Sequence, residues 1–238
     1  MCTLSWFVGP SGYLLFFNRD ERRSRQLAEP PRIERAGGLH FAAPRDGDAG
    51  GTWIFVNEAG VTACLLNLFR YRPHSPDHPP ISRGVLVLGL AGFSTVDGAE
   101  RSLIRADLSR YAPFTLALFG RGAAPRALRW DGATVTRFPL DDDALPLTSS
   151  GFDPEGVARS RRGTLARIAA QHGGLTGSAL VEFHRSHHPD RGPYSPCMHG
   201  EVAHTVSLTT VADFGTGSLI SYQPGAPCED QPTFTARL

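Results

Sequence analysis

Met1-Cys2-Thr3-Leu4-Ser5-Trp6-Phe7-Val8-Gly9-Pro10-Ser11-Gly12-Tyr13-Leu14-Leu15-Phe16-Phe17-Asn18-Arg19-Asp20-Glu21 is the stretch whose reading decides the fold. Cys2 to Val8 reads as a strand, Gly9-Pro10-Ser11-Gly12 as turn chemistry, and Tyr13 to Phe17 as a second apolar run. Joining the two as an antiparallel hairpin fixes a register by counting. Val8 faces Tyr13, Leu4 faces Phe17, and Cys2 falls opposite Arg19. Opposed side chains lie roughly 5 Å apart at Cβ. The hairpin therefore sets a thiol beside a guanidinium, and the cluster Asn18-Arg19-Asp20-Glu21 is the candidate site.

Cys2 carries the sharpest chemistry. A small second residue permits removal of Met1, and the freed α-amine of Cys2, with an ordinary pKa of about 7.7–8.0, then serves as base for its own thiol. A neighbouring Arg is expected to favour the thiolate. Arg19 and Asp20 stand ready to orient the amine and to grip a carbonyl or carboxylate. Further along, Asn67 interrupts the apolar run Cys64-Leu65-Leu66-Asn67-Leu68-Phe69. A side-chain amide there can donate to a developing oxyanion as readily as to a structural partner.

Composition narrows the function classes. The 238 residues are 41% hydrophobic, enough for a sizeable core, and 24 basic residues balance 23 acidic ones. That balance argues against a sequence-independent grip on nucleic acid. Every basic residue is Arg, so a catalytic lysine is excluded. Four cysteines without a CxxC are too few for a disulfide scaffold, which points to a reducing compartment. No positive segment precedes the first apolar run, and no apolar stretch approaches a membrane span. The expectation is a cytoplasmic protein, with its oligomeric state open.

Several regions lack strand or helix patterning. Arg22 to Gly38, with Glu29-Pro30-Pro31, reads as a long loop covering the site, and Ala43 to Gly51 as irregular chain. A hairpin follows, with strands Thr52–Val56 and Val61–Phe69 joined by Asn57-Glu58-Ala59-Gly60. Arg70 to Pro80 is a loop rich in Pro and His. Helices are expected over Arg83–Ala91 and Asp97–Tyr111, strands at Phe114–Phe119, Ala127–Trp130, Ala133–Phe138 and Leu145–Ser149, and helices from Pro154 to His172 and Thr176 to His184. Strands at His204–Asp213, Gly217–Tyr222 and Thr233–Leu238 close the chain. Strands, a helical pair, strands, a helical pair and strands again make an α+β pattern in one domain over residues 1–238.

Other motifs carry less. His184, His187, His188, Cys197, His199 and His204 are possible ligands, but their spacing matches no zinc module and three prolines make the segment a loop. The expectation is no metal and no cofactor. No P-loop, HExxH or GxSxG occurs.

Taken together, Met1-Cys2-Thr3, Asn18-Arg19-Asp20-Glu21, Gly50-Gly51-Thr52-Trp53 and Val56-Asn57-Glu58-Ala59-Gly60 resemble the NRDE family, which includes the eukaryotic transport and Golgi organisation proteins. Cys197-Met198-His199 and His204-Thr205-Val206-Ser207 resemble its C-terminal portion. The resemblance implies an N-terminal-nucleophile (Ntn) hydrolase-like fold, a four-layer αββα sandwich of two antiparallel sheets between helices. More distantly the chain is similar to the Ntn cysteine acylases. By that likeness Cys2 is the nucleophile, Arg19 and Asp20 hold amine and substrate, and Asn67 stabilises the oxyanion. Here Arg19 and Asp20 are adjacent, whereas the acylases separate theirs by two residues, and Ser149 stands where they place a second Asn. Asn18, Glu21, Trp53 and Ser149 complete the expected substrate-binding set. The resemblance implies an amidohydrolase cleaving a non-peptide C–N bond of a small acylated substrate. It also permits a non-catalytic carrier of haem or an acyl-CoA-type ligand. Specificity is expected in loops 22–50 and 70–82.

Overall fold

The structure, a computed structural model, describes residues 1–69 and 81–238. The expected loop over 70–80 lies outside the described residues. The first hairpin forms as counted: β1 (Cys2–Gly9) and β2 (Gly12–Arg22) pair antiparallel, with Val8 opposite Tyr13, Leu4 opposite Phe17 and Cys2 opposite Arg19. The turn is tighter than the four-residue reading, since Gly9 and Gly12 already pair. Gly12 has φ +148°, and a Cβ there would meet the Asp213 carbonyl, so glycine is required on both counts.

Next come β3 (Glu29–Ala36), β4 (Leu39–Arg45), β5 (Ile54–Asn57) and β6 (Thr62–Asn67). α1 (Arg83–Gly89) and α2 (Val96–Arg105) lead to β7 (Phe114–Gly120), β8 (Ala123–Trp130), β9 (Val135–Pro139) and β10 (Leu147–Ser149). α3 (Pro154–Gln171) and α4 (Gly177–Arg185) precede β11 (Ala203–Asp213), β12 (Ser218–Pro224) and β13 (Phe234–Arg237).

Three expectations need correction. Arg22 to Gly38 is not a covering loop, because it contains β3, and the stretch read as irregular from Ala43 begins inside β4. β3 is the edge of its sheet and its pairing slips between Glu29 and Arg32. An edge strand with a bulge is where Pro30 and Pro31 can sit without a ladder N–H. α2 stops at Arg105 rather than Tyr111. There Asp107 accepts the Ser109 N–H at 2.9 Å, a local bond that competes with helical pairing.

Among the described residues the strands form two antiparallel sheets, ordered β10-β1-β2-β11-β12-β13 and β3-β4-β5-β6-β7-β8-β9. α3 and α4 pack on the first sheet, α1 and α2 on the second, and the sheets face each other. This is the expected αββα order. Leu4, Leu15, Phe17, Ile54, Cys64 and Phe119 belong to the core between the sheets. Val87, Ala99, Leu103, Phe114 and Leu116 belong to a separate core under α1 and α2. Asn57 stitches that outer layer to β5, its Nδ2 donating to the carbonyls of Ala91 at 3.0 Å and Phe93 at 2.8 Å.

Polar clamps join the sheets at one end. Tyr13 Oη donates to the Gly60 carbonyl at 2.9 Å and lies 2.8 Å from Thr62 Oγ1. Arg121 holds Asp213 with two hydrogen bonds, 2.8 and 2.9 Å. Tyr13 begins β2, whereas Arg19 lies near its end. The clamps therefore sit at the end of the sandwich away from Cys2.

Candidate active site

Cys2 lies between two partner strands. It is opposite Arg19 on β2 and opposite Ser149 on β10. It lines a cavity of about 480 Å³ together with Arg19, Glu21, Trp53 and Asn67. These side chains come from both sheets, so the cavity is an opening between them at the end opposite the clamps. A second depression, about 600 Å³ between α3 and α4, contains none of the expected site residues.

Arg19 is the centre of the cavity's electrostatics. Its guanidinium lies 4.3 Å from the Trp53 ring centroid, a cation–π contact. It is hydrogen-bonded to Asp46 and lies 3.3 Å from Glu21. Asp46 also accepts Arg25 at 2.7 and 3.0 Å and the Ala49 N–H at 2.9 Å. Burial pushes the Asp46 carboxyl up, but Arg25, the Ala49 N–H and Arg19 outweigh it and hold the pKa below the usual carboxylate value. Asp46, Arg25 and Arg83 were invisible as site residues in the sequence, since the first two lie in or beside stretches read as irregular loop. Trp53 Nε1 and Ser149 Oγ are buried and find no hydrogen-bond partner among the described residues. Buried polar atoms left in this state ask for a partner.

The thiol itself departs from expectation. Burial raises the pKa of Cys2, opposed by the positive N-terminus and seconded by Asp20 and Glu21. Arg19 is engaged instead by Asp46, Glu21 and the Trp53 face. The resting group is therefore a thiol, and a base is needed to ionise it.

Strand alternation splits the Asn18-Arg19-Asp20-Glu21 cluster between two faces. Arg19 and Glu21 line the cavity. Asn18 and Asp20 turn toward α3 and α4 instead, which corrects the reading of all four as one polar group around substrate. Asn18 Nδ2 donates to the carbonyls of His184 and Pro196, each at 2.9 Å. Asp20 accepts Thr205 Oγ1 at 2.7 Å and lies 3.5 Å from Arg161. Arg161 is fully buried and also donates to Thr3 and, at 3.1 Å, to the Pro193 carbonyl. Asp20 reaches the N-terminus through its main chain: its N–H donates to the Met1 carbonyl at 2.9 Å, and the Met1 amine donates to its carbonyl at 3.2 Å.

The glycine run Gly50-Gly51 has a packing reason. A Cβ on Gly51 would lie 2.6 Å from the Gly84 main chain. Its absence lets the Thr52 N–H reach the Gly84 carbonyl at 3.1 Å. This contact brings the start of α1 against the cavity wall, where Ser82, Arg83 and Gly84 line it.

A family profile described as Transport and Golgi organisation 2 matches residues 1–127, more than half of the chain. The chain belongs to the transport and Golgi organisation 2 family. The matched region holds Cys2, Arg19, Glu21, Asp46, Trp53, Asn67 and Arg83, so membership covers most of the cavity wall. A search of curated proteins finds no match.

The fold of this family member is that of known Ntn hydrolases. Penicillin V acylase from Agrobacterium tumefaciens is similar over 100% of this chain and 86% of its own, with TM-score 0.61 and 14% identity. A cysteine-to-alanine mutant of conjugated bile acid hydrolase from Clostridium perfringens is similar over 100% and 92%, with TM-score 0.63 and 13% identity. A Caenorhabditis elegans orthologue of N-acylethanolamine-hydrolyzing acid amidase follows, over 88% and 92%, with TM-score 0.57 and 14% identity. Among the described residues no helix is long and apolar enough to cross a membrane.

Proposed function

We propose that this family member is an Ntn cysteine amidohydrolase cleaving a non-peptide C–N bond of a small acylated substrate. The observation that carries the reading is the position of Cys2, held by register between Arg19 and Ser149 on the wall of a polar cavity. The structural relatives named as acylase, hydrolase and amidase support the same chemistry.

The step requires removal of Met1. The Cys2 α-amine then takes the thiol proton, and the sulfur attacks the carbonyl carbon as the C=O electron pair moves onto oxygen. Asn67 donates to that oxyanion. Collapse breaks the C–N bond, and the departing amine takes the proton from the α-ammonium. Water then attacks the thioester and returns a carboxylic acid and the thiol. Arg19, Arg25 and Arg83 outnumber Glu21 and Asp46 on the cavity wall, which favours an acyl portion carrying an anionic group. Screening an acyl-amide library with wild type and Cys2→Ser, with mass spectrometry for a thioester on Cys2, tests the reading. A native protein that uniformly keeps Met1, or equal turnover by Cys2→Ser, would sink it.

A second reading is a carrier of haem or an acyl-CoA-type ligand that has lost the chemistry. The raised pKa of Cys2 and the arginine-rich wall favour it. Titration with haem and acyl-CoAs separates the two, because a carrier binds equally well as Cys2→Ala and turns nothing over.

A further inference from the structure

We propose that His187, Cys197, His199 and Cys228 form a zinc site on the far side of the first sheet from the catalytic cavity. The four candidate ligand atoms all lie within 4.8 Å of one another. His187 Nε2 and His199 Nε2 are 3.2 Å apart, and His199 Nε2 is 3.5 Å from Cys197 Sγ and 3.2 Å from Cys228 Sγ.

The three separations from His199 Nε2 are close to the edges of a tetrahedron around zinc, and the widest pair, at up to 4.8 Å, closes as the ion enters. With Zn–S about 2.3 Å and Zn–N about 2.0–2.1 Å, nitrogens sit roughly 3.3 Å apart and nitrogen and sulfur roughly 3.5 Å apart. Hydrogen bonding alone does not account for the cluster. An imidazole nitrogen carries one proton or one lone pair, yet three partners converge on His199 Nε2. A central cation satisfies all of them at once. Two thiolates neutralise a divalent ion, and a Cys2His2 donor set with no further position is that of a structural site.

The surroundings hold the ligands in place. The Cys197 N–H donates to the Ser186 carbonyl at 3.0 Å, the His199 N–H to the Arg191 carbonyl at 2.8 Å, and Ser195 Oγ to the Cys197 carbonyl at 2.9 Å. Gln223 Nε2 donates to the Glu229 carbonyl at 2.8 Å and so closes the loop that carries Cys228. This proposal departs from the expectation of no metal. The sequence pattern failed because Cys228 comes from a remote segment, and because His184, His188 and His204 crowd the list. His184 is buried against Ser5 at 2.7 Å, and His188 is exposed.

The site ties the loop before β11 to the loop after β12. Its reach extends to the candidate active site's rear wall, since the Met198 N–H donates to Thr205 Oγ1, which donates to Asp20. The role is structural and independent of any reaction at Cys2.

The test loads the reduced full chain with cobalt(II) and then with zinc(II). Expected are one cobalt per chain, tetrahedral d–d bands, a thiolate-to-cobalt charge-transfer band, and displacement of all three by one equivalent of zinc. Cys228→Ser and His187→Ala, both on half-buried positions, should keep the circular dichroism of wild type. They should weaken zinc binding by more than the roughly 10–100-fold that an outer-shell partner costs. An unchanged cobalt spectrum in both variants overturns the site. So does a reduced wild type that takes up no cobalt, or a Cys197–Cys228 disulfide that forms in the presence of zinc.

Discussion

At the residue scale, Arg19 and Asp46 show how a site is built from charges that cannot be left alone. Both are buried, and Arg25 completes the pair. Removing one partner of a buried pair strands the other, at a cost of about 3–5 kcal/mol. Asp46→Ala is therefore expected to lower the unfolding free energy by about 3 kcal/mol, read from urea titration, and a loss below about 1 kcal/mol would show that Glu21 alone suffices for Arg19. His184 is the second case. Burial first, and Arg161 second, push its pKa from 6.5 down to about 3. The folded state thus disfavours the proton that the unfolded chain accepts. The contribution of this group is full above pH 6.5, falls as pH drops from there toward 3, and then levels. The slope from this group is at most about 1.4 kcal/mol per pH unit. His184→Asn should flatten that part of the stability profile, measured by denaturant unfolding between pH 7 and pH 4. An identical profile would assign the acid sensitivity to other groups.

At the element scale, the first hairpin was legible because the alternation of residues and the Gly-Pro-Ser-Gly turn set the register together. Gly12 tests that turn. A Cβ there would lie 1.8 Å from the Asp213 carbonyl oxygen at φ +148°, whereas Gly38, at φ +88°, has nothing within 4 Å. Gly38→Ala carries only the backbone strain of a positive φ, about 1 kcal/mol. Gly12→Ala also pushes β11 away, and should shift the urea midpoint at least twice as far. Equal shifts would mean that the hairpin relaxes without disturbing β11. β3 shows the opposite case. Its prolines made an edge strand read as a loop, because turn chemistry and edge chemistry use the same residue. The Asn18–Glu21 cluster was found but its division between two faces was not drawn, although the two-residue period of a strand contains it.

At the scale of the whole molecule, the sheets are clamped at one end and open at the other. Arg121 and Asp213 form the charged part of the clamp, and Asp213 is wholly buried. Burial pushes the Asp213 pKa up, yet Arg121, Ser218 and the Gly215 N–H together hold it below the usual value. A depressed carboxylate stabilises the fold above its unfolded pKa of about 3.8 and loses that contribution as pH falls through the folded one. Arg121→Ala should cost about 2 kcal/mol at neutral pH, and the gap from wild type should shrink on acidification below pH 3.8. Chemical denaturation at both pH values checks this; a gap that persists in acid would mean that Arg121 acts through packing rather than charge.

The amino-acid sequence alone determined the α+β class, the register that sets Cys2 against Arg19, and most of the elements from β5 onward. These are local properties: side-chain alternation, helical spacing and turn residues act over a few positions and leave their mark in order along the chain. Only the tertiary structure decided which face of β2 each polar group serves, that Asp46, Arg25 and Arg83 join the cavity, that burial raises the Cys2 thiol, and that Cys228 meets His187, Cys197 and His199. Each of those depends on desolvation and on contacts between segments far apart in the chain. At Cys2 the two kinds of information meet. Counting placed the thiol beside Arg19, and packing then gave the guanidinium to Asp46.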